Sequence, residues 1–168
     1  MSVLNPNQAY TLGILGATSQ KSYALVTETK SLFTVSGLVL VTSIVGKVTT
    51  AITVANTVKL TSNPTTGTAS DLCAATDIGT TDTPAGNLLS ITGAPAEVMF
   101  TGIGAAQRFP TTEAQPTAVT TVMTGGAQGI YVAAGVIEQV TTGTSPDGVI
   151  NWYVSWVPLD TGATVIAA

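Results

Sequence analysis

The chain alternates with a period of two, in short runs of β-branched residues separated by Gly, Pro and Asn. From Leu38 the even positions read Leu40, Thr42, Ile44, Gly46, Val48, Thr50 and Ile52, and the odd ones Val39, Val41, Ser43, Val45, Lys47 and Thr49. The first half of that run is apolar on both faces and the second half on one, which predicts a long strand whose beginning is covered on both sides. After a turn at Val54 to Asn56, Val58 and Leu60 alternate with Lys59 in a second strand over Thr57 to Thr61. Further strands are predicted at Asn87 to Thr92, Glu97 to Thr101, Thr117 to Met123, Ile130 to Ala134, Val136 to Thr141 and Val149 to Val157. In the last of these Ile150, Trp152, Val154 and Trp156 share one face, expected in the core, while Asn151, Tyr153 and Ser155 share the other; Pro158 closes it.

Between these runs, Ser62 to Thr68 reads as a loop, because Pro cannot donate to a ladder and Gly permits a positive φ. Ser70 to Asp77 is either one capped helical turn or extended, the one place where the pattern admits a helix. Turns recur at Thr83 to Gly86, Thr124 to Gly129 and Thr142 to Gly148. The spacing predicts an all-β domain, an antiparallel β-sandwich or barrel, over residues 31–168. Residues 1–30 read as an extended N-terminal arm, since Asn5, Pro6, Asn7 and Gln8 precede any clean strand and Leu12, Ile14 and Leu15 sit among glycines.

Composition changes the picture of the surface. Only 8% of the 168 residues are charged, 45% are apolar, and Thr is the commonest residue; an ordinary globular chain carries about 25% charged residues. With net charge -4 and five scattered cations (Lys21, Lys30, Lys47, Lys59, Arg108), phosphate neutralisation has no footing, so no nucleic-acid partner is expected. Mean hydropathy is high at +0.44, yet the richest stretch, Ser31 to Gly46, is shorter than the roughly 20 apolar residues of a membrane span and is interrupted by Ser, Thr and Gly. No membrane partner is expected either. Residues 1–18 lack the basic and apolar regions of a signal peptide, which points to synthesis in a cytoplasm. Cys73, alone, is expected as a small buried hydrophobe.

Candidate chemistry narrows quickly. With no His there is no Ser-His or Cys-His pair and no zinc site of the common types. The nine acids occur singly, mostly in predicted turns, so paired-carboxylate catalysis is not expected. Gly13 to Ser22 (GILGATSQKS) lacks Gly immediately before Lys21 and another five residues earlier, so it is no phosphate loop. Asp71, Asp77 and Asp82 lack calcium-loop spacing. The expectation is a non-enzyme without cofactor or metal. Its Thr-rich strands present methyls and hydroxyls that can lie against another chain without desolvating charge, which points to an assembly subunit and a homo-oligomer.

The segment SLFTVSGLVLVTSIVGKVTTAI (Ser31 to Ile52), then NPTTGT (Asn63 to Thr68), DLCAA (Asp71 to Ala75), LLSITG (Leu88 to Gly93) and WVPLDTGATVIAA (Trp156 to Ala168) resemble small virion proteins of tailed bacteriophages, the β-rich head proteins of decoration or cement type. These stretches cover about a third of the chain; Glu97 to Gly129 lies outside the resemblance. The resemblance implies a capsid decoration protein on the outside of a phage head, commonly a trimer, that binds the major capsid protein and holds the lattice against internal pressure. It also implies that the N-terminal arm adds a strand to the capsid, with Val3, Leu4, Tyr10 and Leu12 as contact residues; Tyr153, from its polar strand face, is a further contact candidate. Two other readings stand beside it: a tail, neck or fibre protein of the virion, and a carbohydrate-binding β-sandwich module using Tyr131 or Tyr153.

Overall fold

The computed structural model describes residues 16–102 and 129–168. Twelve strands are found there and no helix: β1 (Ala17–Ala24), β2 (Thr29–Ser36), β3 (Val39–Thr50), β4 (Asn56–Pro64), β5 (Ser70–Asp71), β6 (Thr76–Ile78), β7 (Leu88–Ser90), β8 (Phe100–Gly102), β9 (Ile130–Val132), β10 (Gly135–Gly143), β11 (Val149–Pro158) and β12 (Thr164–Ala167). They form two antiparallel six-stranded sheets. The first, sheet A, has the order β1-β11-β3-β7-β8, with β9 also on β3; the second, sheet B, has the order β12-β2-β10-β4-β5, with β6 also on β4. The expected all-β antiparallel sandwich is the architecture found.

Several chain-adjacent long strands lie in opposite sheets, as β2 and β3, β3 and β4, β10 and β11, and β11 and β12 do. At the first crossing the apolar run Ser31 to Gly46 is cut by Gly37, whose φ is +73°. A Cβ there would stand 2.9 Å from that of Ala163, so a residue that is both left-handed and without a side chain is needed. Asp160 completes the corner, its carboxylate accepting the Leu38 N–H at 2.7 Å. The chain therefore leaves one sheet and enters the other within two residues, which divides the most hydrophobic stretch between two strands.

In β3 the apolar-on-both-faces pattern has a specific origin. Its pairing with β11 runs Ser43↔Ser155 and then Val41↔Trp156, so Thr42 is an extra residue. A bulge of this kind shifts the parity of every residue beyond it. Val39 and Val41 point inward before it, and Ile44, Gly46 and Val48 after it, all of them buried. One inner face is thus written partly in odd and partly in even positions.

Between the sheets lies one core that includes Leu32, Phe33, Val39, Ile44, Leu60, Leu89, Ile137, Ile150, Trp152 and Val154. Burial of each such side chain contributes roughly 1.5–3 kcal/mol. A polar chain crosses this core: Trp152 Nε1 donates to Gln139 Oε1 at 2.6 Å, and Gln139 Nε2 donates to Thr141 Oγ1 at 2.7 Å. It ties β11 of one sheet to β10 of the other. The indole has room because its register partner on β3 is Gly46; a Cβ there would fall 2.8 Å from Trp152 Cζ3 and 3.0 Å from Ile150 Cγ2.

Two expectations are corrected and one open alternative is decided. The arm does not extend to residue 30: Ala17–Ala24 is a strand paired along its length with β11, and Thr29 and Lys30 already pair with β10. The pattern hid β1 because its inward positions, Ser19 and Lys21, face the rim of the sandwich. There they donate to the carbonyls of Val165, at 2.5 Å, and Ala168, which closes the side of the sandwich against β12. Ser62 to Pro64 continues β4 instead of opening a loop. Ser70 to Asp77 is extended, pairing with β4 at Asp71 and again at Thr76, while Leu72 and Cys73 between them are buried. The predicted strand Thr117 to Met123 lies outside the described residues.

Candidate interaction surface

Most of the described carboxylates that could have served chemistry are engaged in holding turns or neighbours. Asp147 accepts from the Thr53 hydroxyl at 2.6 Å and from the backbone N–H of Thr53 and Val54 at 2.8 and 2.9 Å. These bonds, the Thr53 side chain foremost, hold its pKa below the usual carboxylate value. Asp71 pairs with Lys59 at 2.9 Å, and Asp77 accepts from Thr80 at 2.8 Å. Glu28 accepts from the Tyr23 hydroxyl at 2.9 Å; burial first, and this carboxylate second, push the phenol up to about 12. Cys73 is buried as expected, and desolvation pushes its thiol up to about 11, the opposite of what a nucleophile requires. Among the described residues no group of three His, Cys, Asp or Glu is placed to hold a metal ion.

What the fold does assemble is a broad, charge-poor sheet face. Residues paired across antiparallel strands share a face, so one row on the outside of sheet A runs Gln20, Tyr153, Val45, Ser90, Phe100 across five strands. Toward one end a second row holds Val157, Leu40 and Tyr131. Toward the other end lie Ser22, Asn151, Lys47 and Leu88. Lys47 is the sole charged side chain among these described positions. Tyr131 stands 64% exposed. The outside of sheet B differs in kind: Glu138, Lys59 and Asp71 lie on it, the last two as an ion pair.

Of the residues singled out from sequence, Val3, Leu4, Tyr10 and Leu12 lie outside the described residues. Tyr153 sits half-buried on the outer face of sheet A, opposite Gln20 and Val45. Trp152 and Trp156 point into the core. The sequence reading missed Leu40, Val45 and Phe100 as members of the same surface. Alternation in β11 gives Tyr153 its side of the strand, but the bulge at Thr42 scrambles the corresponding signal in β3, and Phe100 belongs to a three-residue strand too short to show a period.

Fold and surface together define an antiparallel β-sandwich with one charge-poor and one charged sheet face. No family model, no curated protein and no solved structure matches the chain.

Proposed function

We propose that the chain is a non-enzymatic structural subunit of a virion, a capsid decoration protein that binds the outside of a phage head and stabilises the major capsid lattice. The observation that carries this reading is the outer face of sheet A, broad and almost free of charge. Such a surface is buried against protein without the cost of desolvating ions, and it suits permanent contacts better than the turnover of a small substrate. The sandwich supplies rigidity: its sheets are joined through the core by Gln139 and Trp152 and along one rim by Ser19 and Lys21. The phage-like phrases of the sequence supply the identity of the assembly. In this reading residues 1–15, which precede β1, carry the contact to the major capsid protein, with Val3, Leu4, Tyr10 and Leu12 as its anchors.

The test is co-sedimentation of the purified protein with empty heads, followed by imaging of the particles. Decoration requires many copies at regular positions on the head. Rings or a tip on the tail would place the chain in the tail, neck or fibre instead, and no association with any virion part would overturn the proposal. Deleting residues 1–15 leaves every described strand intact, so it is expected to abolish head binding while the domain stays folded; unchanged binding removes the role of the arm. Tyr131 and Tyr153 share one face, and Gln20 lies beside Tyr153, an arrangement that also suits a sugar. A glycan-array signal lost on changing either tyrosine would favour the carbohydrate-binding reading.

A further inference from the structure

The first half of β3 is apolar on both sides, and the described residues bury only one of them. Val39, Val41 and Ile44 are sealed by the core, whereas Leu40 and Val45 on the other side are half-buried. From this incomplete covering we infer that the outer face of sheet A is the seat of a second copy of the same chain, two copies packing face to face about a two-fold axis. The inference rests on the reading of the chain as an assembly subunit, and it assigns that reading a surface.

Three observations select a second copy. The first is size. At about 3.4 Å along and 4.8 Å across per residue, the strands β1, β3, β7, β8, β9 and β11 make a face of about 640 Å². That lies at the lower end of the roughly 600–1,000 Å² per partner of a stable interface. The second is charge. A partner with a charged surface would find only Lys47 here to pair with, whereas a second copy brings an equally charge-poor face. Lys47 lies at one end of the face, beyond Ser43 from Leu40. A two-fold axis running across the strands near Ser43 and Ser155 therefore sends the two Lys47 ammonium groups to opposite ends. The third is composition. Tyr131, Tyr153 and Phe100 provide rigid aromatic area, of the type that dominates interface energy, within a surface of Ser, Gln and Val.

This arrangement produces a dimer, not the trimer implied by the phage resemblance, and the difference makes it testable. Sedimentation of the full chain is expected to give twice the 16.9 kDa monomer mass. Val45→Glu and Tyr153→Glu each place a charge on the face without touching the core and are expected to weaken association at least tenfold. Val136→Glu, on the outside of sheet B beside Asn63, is expected to leave the dimer intact. Circular dichroism establishes that each variant is folded. As a check independent of added charge, Ser155→Cys beside the axis is expected to form a covalent dimer on air oxidation, the native Cys73 being buried. A monomeric or trimeric wild type, face variants that associate like wild type, or no cross-link through Ser155→Cys would each overturn the inference. Head binding is scored separately: a dimer through this face that ignores phage heads refutes the decoration reading alone, and a monomer that coats heads refutes this inference alone.

Discussion

Replacing Gln139 by Leu tests the polar chain at the centre of the sandwich. Gln139 and Trp152 are both fully buried, and the amide stands between the indole N–H at 2.6 Å and the Thr141 hydroxyl at 2.7 Å. Leu fills nearly the same volume, so the cavity contribution is small and the change isolates hydrogen bonding. It leaves the Trp152 N–H with no acceptor in a place water does not reach, at about 1–3 kcal/mol for one buried unsatisfied group. The Thr141 hydroxyl rotates freely and adds less, and the added apolar carbon offsets a fraction. The net expectation is a loss of about 2 kcal/mol, or about 4–8 °C in Tm for a chain of this size. Urea unfolding followed by far-ultraviolet circular dichroism at fixed protein concentration measures it, because association would otherwise contribute to the apparent stability. Trp152→Phe removes the donor instead of the acceptor. In the double variant neither the indole N–H nor the amide oxygen is left unpaired, so the two losses are expected to fall short of additivity by about 1–2 kcal/mol. A Gln139→Leu protein as stable as wild type, or strictly additive losses, would refute the account of the core given above.

Gly46→Ala places a methyl 2.8 Å from the Trp152 ring with strand backbone on either side, and overpacking of this kind costs about 1–3 kcal/mol; a calorimetric midpoint within a degree of wild type would contradict it. The Cys73 thiol ionises in the unfolded chain near its ordinary 9.0 and in the fold only near about 11, and Tyr23 likewise moves from 10.0 to about 12. The unfolded state therefore loses its protons first, and stability is expected to be intact below pH 9 and to fall progressively between 9 and 12. Cys73→Ala should flatten the lower part of that fall in pH-dependent urea titrations, and native Cys73 should resist thiol reagents that label the unfolded chain. At the acid end the sign reverses. The carboxyl of Asp147 has its pKa lowered by the fold, so its stabilisation is fully present above the ordinary carboxylate value and is lost as pH falls from there through the lowered value of the fold. Asp147→Asn is expected to lower the neutral-pH midpoint and to weaken the acid dependence, and identical acid profiles would remove Asp147 from its role at the Thr53 turn.

The period-two alternation of β-branched residues, cut by Gly, Pro and Asn, was enough to determine an all-β antiparallel domain, because a side chain's face in a strand depends only on parity. It placed both tryptophans in the core and Tyr153 on the outside, since β11 runs from Ile150 to Ser155 with no bulge in its pairing to β1. The absence of His is likewise a property of sequence alone. Tertiary structure decided what parity could not carry. The bulge at Thr42 changed which residues of β3 face inward, Gly37 split one apolar run between two sheets, and pairing with β4 drew Ser70 to Asp77 into extended form. The strand β1 exists because β11 offers it a partner and because Val165 of β12 and Ala168 just beyond it accept the hydrogen bonds of Ser19 and Lys21, neither of which leaves an apolar period. The candidate surface is of the same kind: Gln20, Tyr153, Val45, Ser90 and Phe100 come from five strands spread over 133 residues of sequence separation. Only the register of those strands brings them into one row.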